Sequence, residues 1–235
     1  MNNFLKRLFF VRKCLICGRA LPDAKRDTVF CPDCMLEYLK LCGDTCFRCG
    51  KSERECRCVP GKLQGKVGFA AHLFTFNDSV SRTIVYSVKL QNLPYLQRFI
   101  AGELSDLIYE VTDGKLSDYT ITFVPRKPKS VRLYGFDQAK VLAELFAERL
   151  HVPCVSMFRH ARLSKLQKRL RSGERAINAK RSYSLLDGFV RETDKLLIFD
   201  DVMTTGSTLS VLIALAKSAG FHEVSVVCIA KTIRN

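Results

Sequence analysis

Several things are scarce in this 235-residue chain, and each absence narrows the reading. No apolar run approaches the roughly 20 residues that a helix needs to cross a bilayer, so no membrane span is expected. The opening MNNFLKRLFFVRK alternates charge with bulk and offers no small-residue cleavage site, which argues against a secretory signal and for a cytoplasmic protein. Acidic residues are outnumbered, 23 against 38 Lys and Arg, for a formal charge of +15 and a pI near 9.5. Such an excess suits nucleic acid, polyphosphate substrates or anionic surfaces, and says nothing about fold. Histidine is rare: His72, His151, His160 and His222 stand near expected strand or helix ends with no motif partner beside them. They read as ordinary surface or capping residues. Cysteine is nearly absent beyond residue 58, where only Cys154 and Cys228 remain.

What is present before residue 58 is the reverse. Nine of the 11 cysteines fall in residues 14–58, in the close pairs Cys14/Cys17, Cys31/Cys34, Cys46/Cys49 and Cys56/Cys58, with Cys42 spare. Without a secretory signal, such pairs point to metal ligands rather than disulfides. Gly18 and Gly50 each follow a pair directly, where the chain must turn so that backbone amides face the sulfurs. So short a segment lacks a sufficient apolar core, and structural zinc, worth about 10–16 kcal/mol per site near neutral pH, supplies the difference. Four thiolates close a tetrahedral site and leave no open position, so the role is structural. The reading is a small zinc-ribbon domain over residues 10–58 with one or two zinc ions. A sequential partition puts Cys14, Cys17, Cys31 and Cys34 on one ion and Cys46, Cys49, Cys56 and Cys58 on another; a cross-braced pairing is the alternative.

Residues 59–66, VPGKLQGK, read as a glycine-rich linker. Beyond them, residues 67–235 alternate strand-like and helix-like patterns, which predicts an α/β domain with a mainly parallel sheet covered by helices on both faces. Strands are expected at 68–76, 119–125, 152–158, 195–201 and 223–231. Helices are expected from Asp78 or Ser79 to Leu90, from Tyr95 to Val111, over 136–150 and over 208–219.

The chemistry concentrates at Leu196–Thr208, LLIFDDVMTTGST. An apolar strand delivers Asp200 and Asp201 to its carboxyl end, and a Thr/Gly/Ser loop then opens a helix. Ligands of open parallel sheets sit outside the carboxyl ends of strands, and a helix start offers free amides and a positive dipole end for an anion. Thr204, Thr205, Ser207 and Thr208 add hydroxyls, and Gly206 lets the backbone approach a phosphate closely. Two adjacent carboxylates beside a phosphate must face something else, such as vicinal ribose hydroxyls with a magnesium ion.

These residues resemble the phosphoribosyl pyrophosphate (PRPP) motif of type I phosphoribosyltransferases. The resemblance implies that Asp200 and Asp201 hold the ribose hydroxyls and magnesium, and that Thr204, Thr205, Gly206, Ser207 and Thr208 hold the 5-phosphate. It also implies a pyrophosphate loop after the strand ending at Pro125, where Arg126 and Lys127 stand, and a hood over substrate at 159–181. That stretch is strongly basic and includes Arg162, Lys165, Gln167, Lys168, Arg169 and Arg171, suited to a lid or to single-stranded DNA. A wider resemblance covers about 14–232. The cysteine pairs, Val124-Pro125, Arg132-x-x-Gly135-Phe136-x-Gln138-Ala139, Gln167, Glu174-Arg175-x-x-Asn178 and the phosphate loop follow the order of the ComF family. Its members accompany natural competence and single-stranded DNA import, which implies a phosphoribosyltransferase of unknown acceptor or, alternatively, a non-catalytic PRPP sensor that binds single-stranded DNA or a helicase-type partner. Tyr134 stands where the family places an arginine, and Asp137 where it places asparagine. Thr204 also occupies the loop position where purine transferases carry an acid as base. No other carboxylate is free to deprotonate a purine, although orotate-type enzymes also lack one.

Overall fold

The computed structural model describes residues 11–21, 27–46, 48–160 and 182–232. The basic lid positions Arg162, Lys165, Gln167, Lys168, Arg169 and Arg171 lie outside the described residues.

The cysteine-rich part opens with a two-residue hairpin, β1 (Arg12–Lys13) against β2 (Ala20–Leu21), followed by helix α1 (Pro32–Gly43). The α/β part then runs β3 (Ala70–Thr75), α2 (Ser79–Leu90), α3 (Pro94–Val111), β4 (Tyr119–Phe123), α4 (Pro128–Tyr134) and α5 (Gln138–Leu150). It continues with β5 (Phe158–His160), β6 (Tyr183–Leu185), β7 (Lys195–Met203), α6 (Ser207–Ser218) and β8 (Glu223–Lys231). Four of these strands form one parallel sheet in the order β3-β8-β7-β4.

Strand alternation explains why helices cover both faces. In β7, Leu197 and Phe199 point to one face, while Leu196 and Ile198 point to the other. The first face takes α2, α3 and α5, with Phe146 set edge-on to Phe199 at 5.5 Å. The second takes α6 through Leu209, Leu212, Ile213 and Ala216. Burial of each large side chain here contributes about 1.5–3 kcal/mol. The parallel α/β sheet covered on both faces is therefore the architecture present.

Local signals also explain the boundaries. Asp78 caps α2 in a full capping box with Ser81, and Asp137 caps α5 by accepting from the amides of Ala139 and Lys140. One expectation needs correction. The strand expected over 152–158 is reduced to a single bridge, Cys154 opposite Ile121. Pro153 has no amide to donate, and after Val155 the chain leaves β4 to pair antiparallel with β6 through 158–160.

The cysteine-rich part is packed into the same core. Tyr38 of α1 is fully buried among Phe30, Phe74 and Phe99, with ring centroids 5.3–6.2 Å away. Its hydroxyl donates to Glu103 Oε2 at 3.0 Å. Residues 59–66 are also packed. Gly61–Leu63 form a 3-10 turn, and Leu63 is fully buried beneath α6. No helix among the described residues is long and apolar enough to cross a membrane.

Candidate ligand-binding site

Strand β7 carries Asp200 and Asp201 to its carboxyl end, and Thr204–Gly206 turn into α6. Gly206 has φ +70°, and a Cβ there would lie 2.8 Å from Leu63 Cγ, so both backbone angle and packing require glycine. Asp200, Val202, Thr204, Thr205, Gly206, Ser207 and Thr208 line one recess of about 60 Å³ at the start of the 12-residue helix. Gly206 offers no side chain to cap that helix start, and the Ser207 amide donates to Thr205 Oγ1 at 3.4 Å. Thr205 Oγ1 and Ser207 Oγ lie 2.9 Å apart, and Lys62 Nζ donates to Ser207 Oγ at 2.7 Å.

The two acids differ in their surroundings. Asp201 Oδ2 accepts from Lys89 Nζ at 3.1 Å and from Gln138 Nε2 at 3.2 Å. Asp200 has no ion pair among the described residues; burial, then the adjacent Asp201 charge, pushes its carboxyl up to about 8. Tyr183 stands beside Asp200 and interacts with Thr208, and burial raises its own pKa. Gln138 Oε1 is buried without a partner among the described residues. Two carboxylates and an orphan amide oxygen are hard oxygen donors of the kind that magnesium takes, so the residues fit that ion.

Arg126 and Lys127 lie where the chain leaves β4, the other neighbour of β7. Lys127 is exposed. The Arg126 guanidinium lies 4.4 Å over the ring of Tyr134 and donates to Phe136 O at 3.4 Å. Its backbone amide donates to Asp137 Oδ2 at 2.9 Å, so Asp137 fixes this loop as well as capping α5. His160 bonds to Pro125 O at 3.0 Å and stacks near Tyr183.

The cysteines converge in two sequential tetrads. Cys14, Cys17, Cys31 and Cys34 form one, and Cys46, Cys49, Cys56 and Cys58 the other, with ligand atoms in each within 4.8 Å of one another. Around a zinc ion at about 2.3 Å, four sulfurs lie about 3.8 Å apart. Cys17 Sγ and Cys31 Sγ are 3.7 Å apart. Gly18 and Gly50 take φ of +72° and +71°, which turns each knuckle back on itself. Burial opposes ionisation of Cys14 and Cys46, but backbone amides outweigh it, with Cys56 and Lys231 adding to the effect at Cys46, and bring both down to about 6. Both tetrads can therefore bind structural zinc.

His72 corrects the expectation of a surface residue. It is fully buried, and burial holds its pKa down. Its Nε2 is 2.7 Å from Glu53 Oε2, which also accepts from Lys231 Nζ at 2.9 Å. Lys231 in turn donates to Cys56 Sγ at 2.9 Å and Cys46 Sγ at 3.4 Å. A cleft of about 460 Å³ lies beside this cluster, lined by Arg48, Lys62, Met203, Thr204, Lys231 and Thr232 among others.

No family model matches the chain. Competence protein ComFC of Streptococcus pneumoniae is 26% identical over 233 residues, covering 90% of this chain and 96% of that protein. The chain is thus similar to ComFC over nearly the whole length of both proteins. A hypoxanthine/guanine phosphoribosyltransferase of Methanothermococcus okinawensis is 28% identical over 149 residues, covering 60% of this chain and 78% of that one. Among solved structures, an allosteric regulatory enzyme of purine biosynthesis matches with a TM-score of 0.42 and 17% identity, over 62% of this chain and 29% of that one.

Sequence reasoning did not single out Lys89, Lys62, Arg48 or the Glu53–His72–Lys231 cluster. Lys89 ends an amphipathic helix and belongs to no motif. Only its position beside the carboxyl end of β7 reveals it. Gln138 stood within the family pattern, yet no role followed from that.

Proposed function

We propose that the chain binds PRPP with magnesium at the β7–α6 loop and serves natural competence as a phosphoribosyltransferase-like protein of the cytoplasm. The observation that carries this reading is the acid pair at the end of β7, continued by a hydroxyl-lined recess at the start of α6. Asp200 and Asp201 would hold ribose hydroxyls and the ion, and Thr204–Thr208 the 5-phosphate. Bound magnesium would supply charge neutralisation for a departing pyrophosphate. Asp201 is ion-paired with Lys89, whose ammonium would be released toward that group once the carboxylate turns to the ion. The charge of +15 supports weak, salt-dependent binding of single-stranded DNA, with log affinity falling by about 0.7 per neutralised phosphate. A helicase-type partner belongs to the same proposal, through the ComFC likeness.

Calorimetry with PRPP and magnesium tests the loop. Hydrogen bonds to charged groups are worth about 1.5–3 kcal/mol each, so Asp200→Asn with Asp201→Asn should weaken binding at least tenfold. Equal affinity in parent and variant would overturn the assignment. Pyrophosphate release with purine bases should be slow, because Thr204 supplies no base and general base catalysis contributes about 10²–10⁴-fold.

One observation favours a second reading, a PRPP sensor without turnover that binds DNA or tethers a partner. Arg126 is held by Tyr134 and Phe136 rather than standing free for a leaving group. Tight PRPP binding with no release across all acceptors tried would select that reading.

A further inference from the structure

The 460 Å³ cleft shares Thr204 and Thr205 with the phosphate recess but is otherwise lined by Arg48, residues 58–62, Met203 and the end of β8. Its position follows from strand order. Strand β7 lies between β4 and β8, and the Arg126–Lys127 loop follows β4, whereas Lys231 and Thr232 of the cleft end β8. A ribose held at the end of β7 with its pyrophosphate toward β4 therefore has its opposite face toward the cleft. In displacement at C1, the incoming atom approaches from the face opposite the leaving group.

The wall chemistry then selects the incoming molecule. Met203, Val59 and Pro60 give an apolar surface, and no acidic residue among the described residues lines the cleft. Lys231 is matched by Glu53, but Arg48 and Lys62 are paired with no carboxylate among the described residues. Arg48 donates to Val59 O at 3.2 Å, and Lys62 only to the Ser207 hydroxyl. Thr232 Oγ1 has no hydrogen-bond partner among the described residues. A cleft of a few hundred Å³ suits a small molecule, and these walls suit a flat anion. The absence of a base fits the same conclusion. A nitrogen acceptor that enters already deprotonated, stabilised by cations, needs no group to take its proton.

We propose that this cleft, walled by the second cysteine knuckle, is the acceptor site, and that the acceptor is a small, flat, anionic nitrogen heterocycle. The cysteine module thereby contributes Arg48 to substrate recognition. In the step itself the C1–O bond to pyrophosphate breaks, with its electron pair leaving on pyrophosphate. The acceptor's ring N–H proton passes to water before attack, the nitrogen lone pair forms the new C1–N bond, and no proton moves to the protein. This inference rests on PRPP binding at the loop, but its binding test does not.

Orotate and uracil share a ring and differ by one carboxylate, which makes them matched probes. Calorimetry or NMR titration of the full chain, without PRPP, should show orotate binding at least tenfold tighter than uracil. Arg48→Glu should weaken orotate about tenfold, and Lys62→Glu should act in the same direction. Orotate no tighter than uracil, orotate weaker than about 1 mM, or orotate unaffected by both variants would overturn the proposal. PRPP binding by the same samples separates the two readings. If PRPP binds and the orotate pattern fails, only the acceptor assignment falls. If orotate binds through Arg48 while PRPP does not bind, the loop reading falls and the cleft stands as an anion site.

Discussion

The two cysteine tetrads are each built from two close cysteine pairs but are fastened to the molecule by opposite means. The first stands beside an apolar joint, with Tyr38 and Phe30 of its module embedded against Phe74 and Phe99. The second is joined by buried charge, Lys231 bridging Glu53 to Cys46 and Cys56. An apolar joint is non-directional and tolerates small shifts, whereas a buried ion pair holds one geometry and fails badly when one partner is lost. The stricter joint is also the one beside the ligand cleft. The first tetrad is thus anchored by apolar packing and the second by a directional ion pair.

Metal removal should break the comparison most strongly, since each structural zinc is worth about 10–16 kcal/mol. Cys17→Ser and Cys49→Ser alter equivalent exposed thiols, one per tetrad. Both should lower metal content by one equivalent, but only Cys49→Ser should also weaken ligand binding at the β7–α6 loop. Equal effects on binding would show that the two knuckles do not differ in kind.

Lys231→Met should come next. It strands Glu53, whose side chain is 2% exposed, and such a loss typically costs about 3–5 kcal/mol. Denaturant unfolding measures it. A cost below about 1 kcal/mol would mean that His72 holds Glu53 without the lysine.

Asp200→Asn sharpens the contrast at the ligand end. Its carboxyl is raised from 3.8 to about 8, so the folded state holds a proton that the unfolded chain has released. That contribution is fully present below about pH 4 and is lost as pH rises through 8. The ligand-free variant should therefore gain on the parent from pH 4 to 8, and its stability should depend less on pH across that window. Parallel pH profiles would show that Asp200 ionises freely.

Tyr38→Phe should be the smallest change. It keeps the aromatic packing and removes one hydrogen bond to Glu103, for about 1 kcal/mol in unfolding and no change in ligand affinity.

What the sequence made legible was local in the chain. The acid pair and hydroxyl loop are contiguous, each cysteine knuckle spans three or four residues, and the strands of the parallel sheet are short runs rich in apolar residues. What it hid depends on residues far apart. His72 looked like an isolated histidine because its partners are Glu53 and Lys231, and a linker reading of 59–66 followed from glycine content while Leu63 is what fills the space under Gly206. Residues 152–158 have strand composition, but Pro153 and the pull of β6 leave one bridge. No local pattern encodes a counter-charge contributed from 175 residues away.

The place of Lys231 also fixes an order of events. Strand β8 lies between β3 and β7, so the sheet remains in two halves until residues 223–231 are inserted. The same insertion delivers the ammonium that Glu53 and the second tetrad require. During synthesis from the N-terminus the first knuckle can close early, while the second waits, its Glu53 unmatched, for nearly the whole chain to emerge. Contacts of that sequence separation are slow to form, and the central strand acts as the closing step that assembles sheet, cleft and second knuckle together.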